Sequence, residues 1–162
     1  MKKPNRVMLI TPPYHCGVVE SAGRWPNLGF VYLAGELERA GFDVEIYDAM
    51  SKFHDFDLIR ERIRSSAPDF VGATAITATI NDAVKVLKIA KEELPEAITF
   101  LGGVHPTFCY EEILSNDGEW VDYCVLGEGE RTAPELLEAH SSGRDLSTVP
   151  GITFRHEGKV HQ

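Results

Sequence analysis

The chain has 162 residues, enough for one domain with a true core, and its 43% apolar and 25% charged composition is ordinary for a folded, soluble protein. A net charge of −9 with scattered basic residues removes the electrostatic pull that nucleic-acid binding needs and disfavours adhesion to anionic membranes. There is no uncharged apolar run of about 18 residues, and the opening Met-Lys-Lys-Pro-Asn-Arg lacks the apolar stretch of a signal peptide, so no membrane insertion and a cytoplasmic location are expected.

Residues 6–11 form a continuous apolar run, the mark of a strand covered on both faces, and Pro12-Pro13 stops it. After a long loop to Trp25-Pro26, the residues Phe30, Leu33, Ala34, Leu37 and Ala40 recur on one helical face that Gly41 closes. Strand two is expected at 43–47. A helix carrying Phe56, Ile59, Ile63 and Ala67 leads through Pro68 into strand three at 69–74, and Ile80, Ala83, Val84, Leu87 and Leu94 mark the next helix up to Pro95. Strand four at 97–101, a short helix near 108–114, strand five at 121–126 and a helix over 131–140 complete the series. This alternation predicts an α/β fold of the flavodoxin-like (Rossmann-like) kind, a doubly wound five-stranded parallel sheet with helices on both faces. The tail from Gly151 reads as a strand, a turn at Glu157-Gly158 and the start of a returning strand. Residues 1–145 are therefore expected to form the ligand-binding domain and 146–162 the start of a linker or hairpin leading to a further domain.

Cys16, Cys109 and Cys124 are odd in number and widely spaced, so they offer neither a disulfide framework nor a zinc pattern, and each reads as a small hydrophobe or plain thiol. No Cys-x-x-x-Cys-x-x-Cys triplet occurs, so the residues provide no site for a radical-enzyme iron-sulfur cluster. Neither Gly-x-x-x-x-Gly-Lys-Ser/Thr nor Gly-x-Gly-x-x-Gly is present, which removes the P-loop and dinucleotide readings.

Function in such a sheet resides in the loops that follow the strands, where helix N-termini present free amides. Four segments occupy that rim: Tyr47-Asp48-Ala49-Met50, Thr74-Ala75-Ile76-Thr77, Gly102-Gly103-Val104-His105 and Gly127-Glu128-Gly129-Glu130. The glycine pair permits close approach of a bulky group, or serves only a tight turn. Thr77 or Thr79 is expected to cap the Ile80 helix. His105 has two open roles, bonding a ligand or capping its own helix. His15, beside Tyr14 and Cys16, lacks a third spaced metal ligand.

Tyr14, Trp25-Pro26 and these segments, in this order over nearly the whole chain, resemble the cobalamin-binding domain that precedes the radical S-adenosylmethionine (SAM) core in the family of the anaerobic magnesium-protoporphyrin IX monomethyl ester oxidative cyclase. The resemblance implies a corrinoid across the carboxyl edge of the sheet, with its nucleotide tail beside the strands. Tyr14, Asp48, Ala49, Met50, Thr74, Ala75, Ile76, Thr77, Gly102, Gly103, Val104, His105, Gly127, Glu128 and Gly129 are the implied cofactor-binding residues. Where wider members of the fold carry Asp-x-His-x-x-Gly, with a His that binds cobalt, this chain has Asp48-Ala-Met50-Ser-Lys-Phe53. A thioether is a poor axial base for a hard cobalt(III) ion, so base-off cobalamin without a His lower ligand is expected, with no protein metal ligand. His54 is a weaker candidate for that place. The implied parent is a radical SAM oxidative cyclase of bacteriochlorophyll synthesis, whose 4Fe-4S cluster and SAM bind elsewhere, so this chain alone should be inactive and carry no catalytic residue. A radical SAM methylase parent and a stand-alone corrinoid or tetrapyrrole module remain as alternatives. A phosphoacceptor receiver domain is disfavoured because no acidic pair follows the first strand.

Overall fold

A computed structural model describes residues 5–14 and 26–162. Five strands run parallel in the order β2-β1-β3-β4-β5: β1 (Arg6–Thr11), β2 (Asp43–Asp48), β3 (Phe70–Thr74), β4 (Ile98–Gly102) and β5 (Tyr123–Val125). The helices α1 (Leu28–Arg39), α2 (Ala49–Lys52), α3 (Phe56–Ser66), α4 (Ile80–Glu93), α5 (Val104–Asp117) and α6 (Gly129–Ser142) connect them. The chain reverses its winding between β1 and β3, and ligands of such sheets gather at the carboxyl ends beside that reversal.

Alternate residues of each strand serve two separate cores. Val7, Leu9, Phe70, Phe100, Tyr123 and Val125 face α1 and α6, whereas Met8, Ile10, Val71, Leu101 and Cys124 face α3, α4 and α5. That two-sided burial explains the unbroken apolar runs. Each fully buried Leu or Ile contributes about 1.5–3 kcal/mol. Cys124 belongs to the second core, and burial pushes its thiol up to about 12, so it behaves as a hydrophobe.

Among the described residues the expected five-stranded sheet has seven strands. The tail forms β6 (Ile152–His156) and β7 (Lys159–His161), and β6 joins the same sheet antiparallel to β5 through Tyr123↔Phe154, Cys124↔Thr153 and Val125↔Ile152. Without it β5 would present a bare edge of amides and carbonyls. Glu157 and Gly158, at φ 50° and 78°, make the hairpin turn that matches the twist of its strands. Two helices also differ from expectation. α5 begins at Val104, because Pro106 in its first turn loses only an amide that would have no helical partner, and it kinks at Cys109. The single-turn α2 was not anticipated. It ends at Phe53, a non-glycine residue held at φ 52°.

Candidate functional site

The tips of β3, β4 and β5 and the starts of α1, α5 and α6 enclose a cleft of about 330 Å³. Thr74, Gly102, Gly103, Val104, Gly127, Glu128 and Gly129 all line it, so three of the four expected segments meet at one place. Neither the Gly103 N-cap of α5 nor the Glu128 N-cap of α6 is satisfied by a side chain; in α5 the His105 amide is taken by Ala75 and Pro106 has none, so the first-turn amides left at the cleft mouth are chiefly those of α6. Val104 and Phe108 stand at the rim, 64% and 80% exposed. Deeper in, Phe30, Leu33, Phe100, Val125 and Ala133 are buried and wholly apolar.

The two adjacent glycines have different reasons to be glycine. Gly103 lies at φ 102° and ψ −175°, and a Cβ there would sit 2.7 Å from the Ala75 carbonyl oxygen and 2.8 Å from Thr74 Oγ1. The protein's own packing demands it. At Gly102 a Cβ would find nothing closer than the Val125 carbonyl oxygen at 3.9 Å. No protein atom requires that glycine, and the space it leaves opens into the cleft. The floor depends on a third glycine: Phe100 packs so tightly over Gly72, its partner across β3 and β4, that a Cβ at position 72 would meet the ring at 2.4 Å.

The rim loops are joined to one another. Thr107 donates its hydroxyl to the Gly103 carbonyl at 2.8 Å and accepts from the Gly127 amide at 3.0 Å, tying the β4 loop to the β5 loop. Ala75 donates its amide to the Gly102 carbonyl, and its own carbonyl accepts from the His105 amide. His105 neither lines the cleft nor caps its helix; its Nδ1 lies 3.2 Å from Thr77 Oγ1, linking the β3 and β4 loops above the buried Ala75. Ile76 and Thr77 are exposed on top. The expected cap of α4 does not form: Thr79 occupies the N-cap position, but its hydroxyl bonds back to the amide and carbonyl of Ile76, closing residues 76–79 into a turn.

The β2 tip stands apart from the cleft. Asp48 accepts from Thr11 Oγ1 at 2.7 Å, Ser51 Oγ at 2.6 Å and the Ser51 amide at 3.0 Å. Burial works to raise its pKa, but the hydrogen bonds from Ser51 and Thr11, with the charge of Lys52, outweigh it and hold the carboxyl below its ordinary value. Ala49 is buried in the core and Met50 is half-buried. His54 Nδ1 pairs with the Tyr47 hydroxyl at 2.5 Å. Tyr14 is half-buried at the end of β1, outside the cleft lining. His15, Cys16 and Trp25 lie outside the described residues. Among the described residues no cluster of three His, Cys, Asp or Glu side chains could hold a metal ion, and no helix is long and apolar enough to cross a membrane.

The sequence reading did not identify Asn27 or Phe108 as lining residues. Asn27 carries a usable signal, as an Asn just before an amphipathic run is a helix cap, and its side chain accepts from the Phe30 amide at 3.0 Å.

A family model described as the B12 binding domain matches residues 14–137. The chain is 44% identical over 160 residues to the anaerobic magnesium-protoporphyrin IX monomethyl ester cyclase of Rubrivivax gelatinosus, covering 96% of this chain and 29% of that protein. It is 36% identical to an uncharacterized methyltransferase of Pyrococcus horikoshii, covering 98% of this chain and 34% of the relative. The chain thus spans about a third of the length of these curated relatives. In fold it superimposes with a TM-score of 0.82 on the cobalamin-dependent S-adenosylmethionine radical enzyme OxsB with aqua-cobalamin and S-adenosylmethionine bound, at 22% identity, over 99% of this chain and 22% of that one.

Proposed function

The chain belongs to the B12-binding domain family, and from that membership we propose that it holds base-off cobalamin on the carboxyl edge of its sheet, the tail in the cleft and no histidine as lower ligand. The observation that carries this is Gly102: a cradle at a strand tip that no protein atom needs, opening onto a cleft that is apolar within and polar at its mouth. A volume near 330 Å³ is at the lower end of small-molecule sites, which run from about 300 to 1,000 Å³. Thr74, Gly102, Gly103 and Val104 form one wall of the site, with Ala75, Ile76, Thr77 and His105 supporting it. Gly127, Glu128 and Gly129 form the opposite side. Glu128 and Glu130 supply carboxylate acceptors for the amide N–H groups that fringe a corrin. Asp48, Ala49, Met50 and Tyr14 shape the edge beside the ring, and Met50 does not ligate the metal. Cobalamin, when bound, supplies a redox-active cobalt whose upper face can exchange a group with a substrate.

The parent is a B12-dependent radical SAM oxidative cyclase of the bacteriochlorophyll pathway, a reading supported by the 44% identity to the cyclase. A methylase parent is the second reading, favoured by the 36% identity to a methyltransferase. In either case residues 1–145 supply the cobalamin site. Residues 146–162, whose β6–β7 hairpin completes the same sheet, lead towards a radical SAM domain that carries the 4Fe-4S cluster and SAM, so this chain alone is inactive. It works in the cytoplasm, without nucleic acid and without membrane insertion. Mixing the purified chain with hydroxocobalamin and then desalting tests the binding role. Corrinoid absorbance that stays with the protein and shows the base-off spectrum is expected, whereas complete loss at micromolar protein would refute the reading.

A further inference from the structure

We propose that the cleft selects among corrinoids by the base at the end of the nucleotide tail, accepting an apolar base and disfavouring a purine; this rests on the reading of the cleft as the tail site. The side chains below the mouth are Phe30 and Leu33 from α1, Phe100 and Val125 from the sheet and Ala133 from α6, all at most 8% exposed and all hydrocarbon. Behind two of them the backbone is already paired: Phe100 is bound into the ladder between β3 and β5, and Ala133 lies within helix α6. At the mouth the Asn27 side-chain oxygen is committed to the Phe30 amide and the Thr107 hydroxyl to Gly103 and Gly127, and the remaining polar side chains of the lining are Thr74, Glu128 and Glu130.

A flat hydrocarbon-rich base suits such a lining, with the Phe30 and Phe100 rings available for aromatic contact. Adenine would carry an exocyclic amine and several ring nitrogens past the polar mouth into a chamber whose side chains are hydrocarbon, and buried polar groups without partners are costly. The Phe100 ring, seated over Gly72, closes the floor and leaves no room for a water to substitute as partner from below.

The test is equilibrium dialysis of the chain against four reduced, cobalt(II) probes: cobalamin, cresolylcobamide, adeninylcobamide and cobinamide, the last of which lacks the tail. Cresol cannot coordinate cobalt and adenine does so weakly, so their comparison reports the cleft rather than the metal. Cobalamin and cresolylcobamide should be retained, with adeninylcobamide at least tenfold weaker than cresolylcobamide and cobinamide weaker than cobalamin. Equal affinity for the adenine and cresol forms, with cobinamide still weak, would overturn base selection and leave the tail assignment standing. Cobinamide binding as tightly as cobalamin would overturn both, and failure of all four probes would remove the corrinoid reading itself. In Leu33→Gln, which places an amide in the wall, the gap between adenine and cresol forms should narrow several-fold; an unchanged gap in the folded variant would also overturn the proposal.

Discussion

The two halves of the carboxyl edge spend their polar groups differently. Around the β1 and β2 tips the chain answers its own needs: Thr11 and Ser51 occupy Asp48, and His54 occupies Tyr47. Around β3, β4 and β5 there remain uncapped helix starts, exposed Val104 and Phe108, and a strand tip at Gly102 that faces open space. A closed half beside an open half shows where a ligand can gain contacts that the fold does not already use.

The sharpest way to break the comparison is through the neighbouring glycines. Gly103→Ala should lower the unfolding free energy by about 2–5 kcal/mol, from a glycine-only backbone and a Cβ driven into Ala75, and chemical denaturation would measure it. Gly102→Val should instead fold normally and weaken cobalamin retention by about 30-fold or more, read by dialysis. If Gly102→Val unfolds the chain, the open half is structural like the other.

Asp48→Ala probes the closed half and should cost about 1–2 kcal/mol near neutral pH while leaving cobalamin affinity within a few-fold. The Asp48 carboxyl is held below its ordinary value in the folded protein, so its stabilisation is complete above about pH 4 and is lost as pH falls through that lowered value. The stability gap between wild type and Asp48→Ala should therefore shrink on acidification, and a gap that widened would contradict the assignment. Met50→Ala should have the smallest effect, an unchanged cobalamin spectrum, because no cobalt–sulfur bond is lost.

The open half was more legible in the sequence than the way it is built. Thr74, Gly102 and Gly127 each follow an apolar run, and parallel strands bring such tips into one row, so local pattern sufficed to find the rim. The cleft wall was not visible in this way. Leu33 on α1 and Ala133 on α6 become neighbours only when both helices pack on the same sheet face, and each reads locally as ordinary core. Gly102 and Gly103 look like one device in sequence, and only three-dimensional packing separates the glycine the fold requires from the glycine it leaves open. The hairpin was recognised, but nothing local said that Ile152 would pair with Val125 and extend the sheet.

The seating of Phe100 over Gly72 means that the bore of the cleft is set from behind. Residue 72 never faces a ligand, yet a single methyl added there would lift the ring and make the chamber shallower. Evolution or an engineer could thus retune which guest is admitted by editing the far side of the floorboard, leaving every surface the guest touches chemically unaltered.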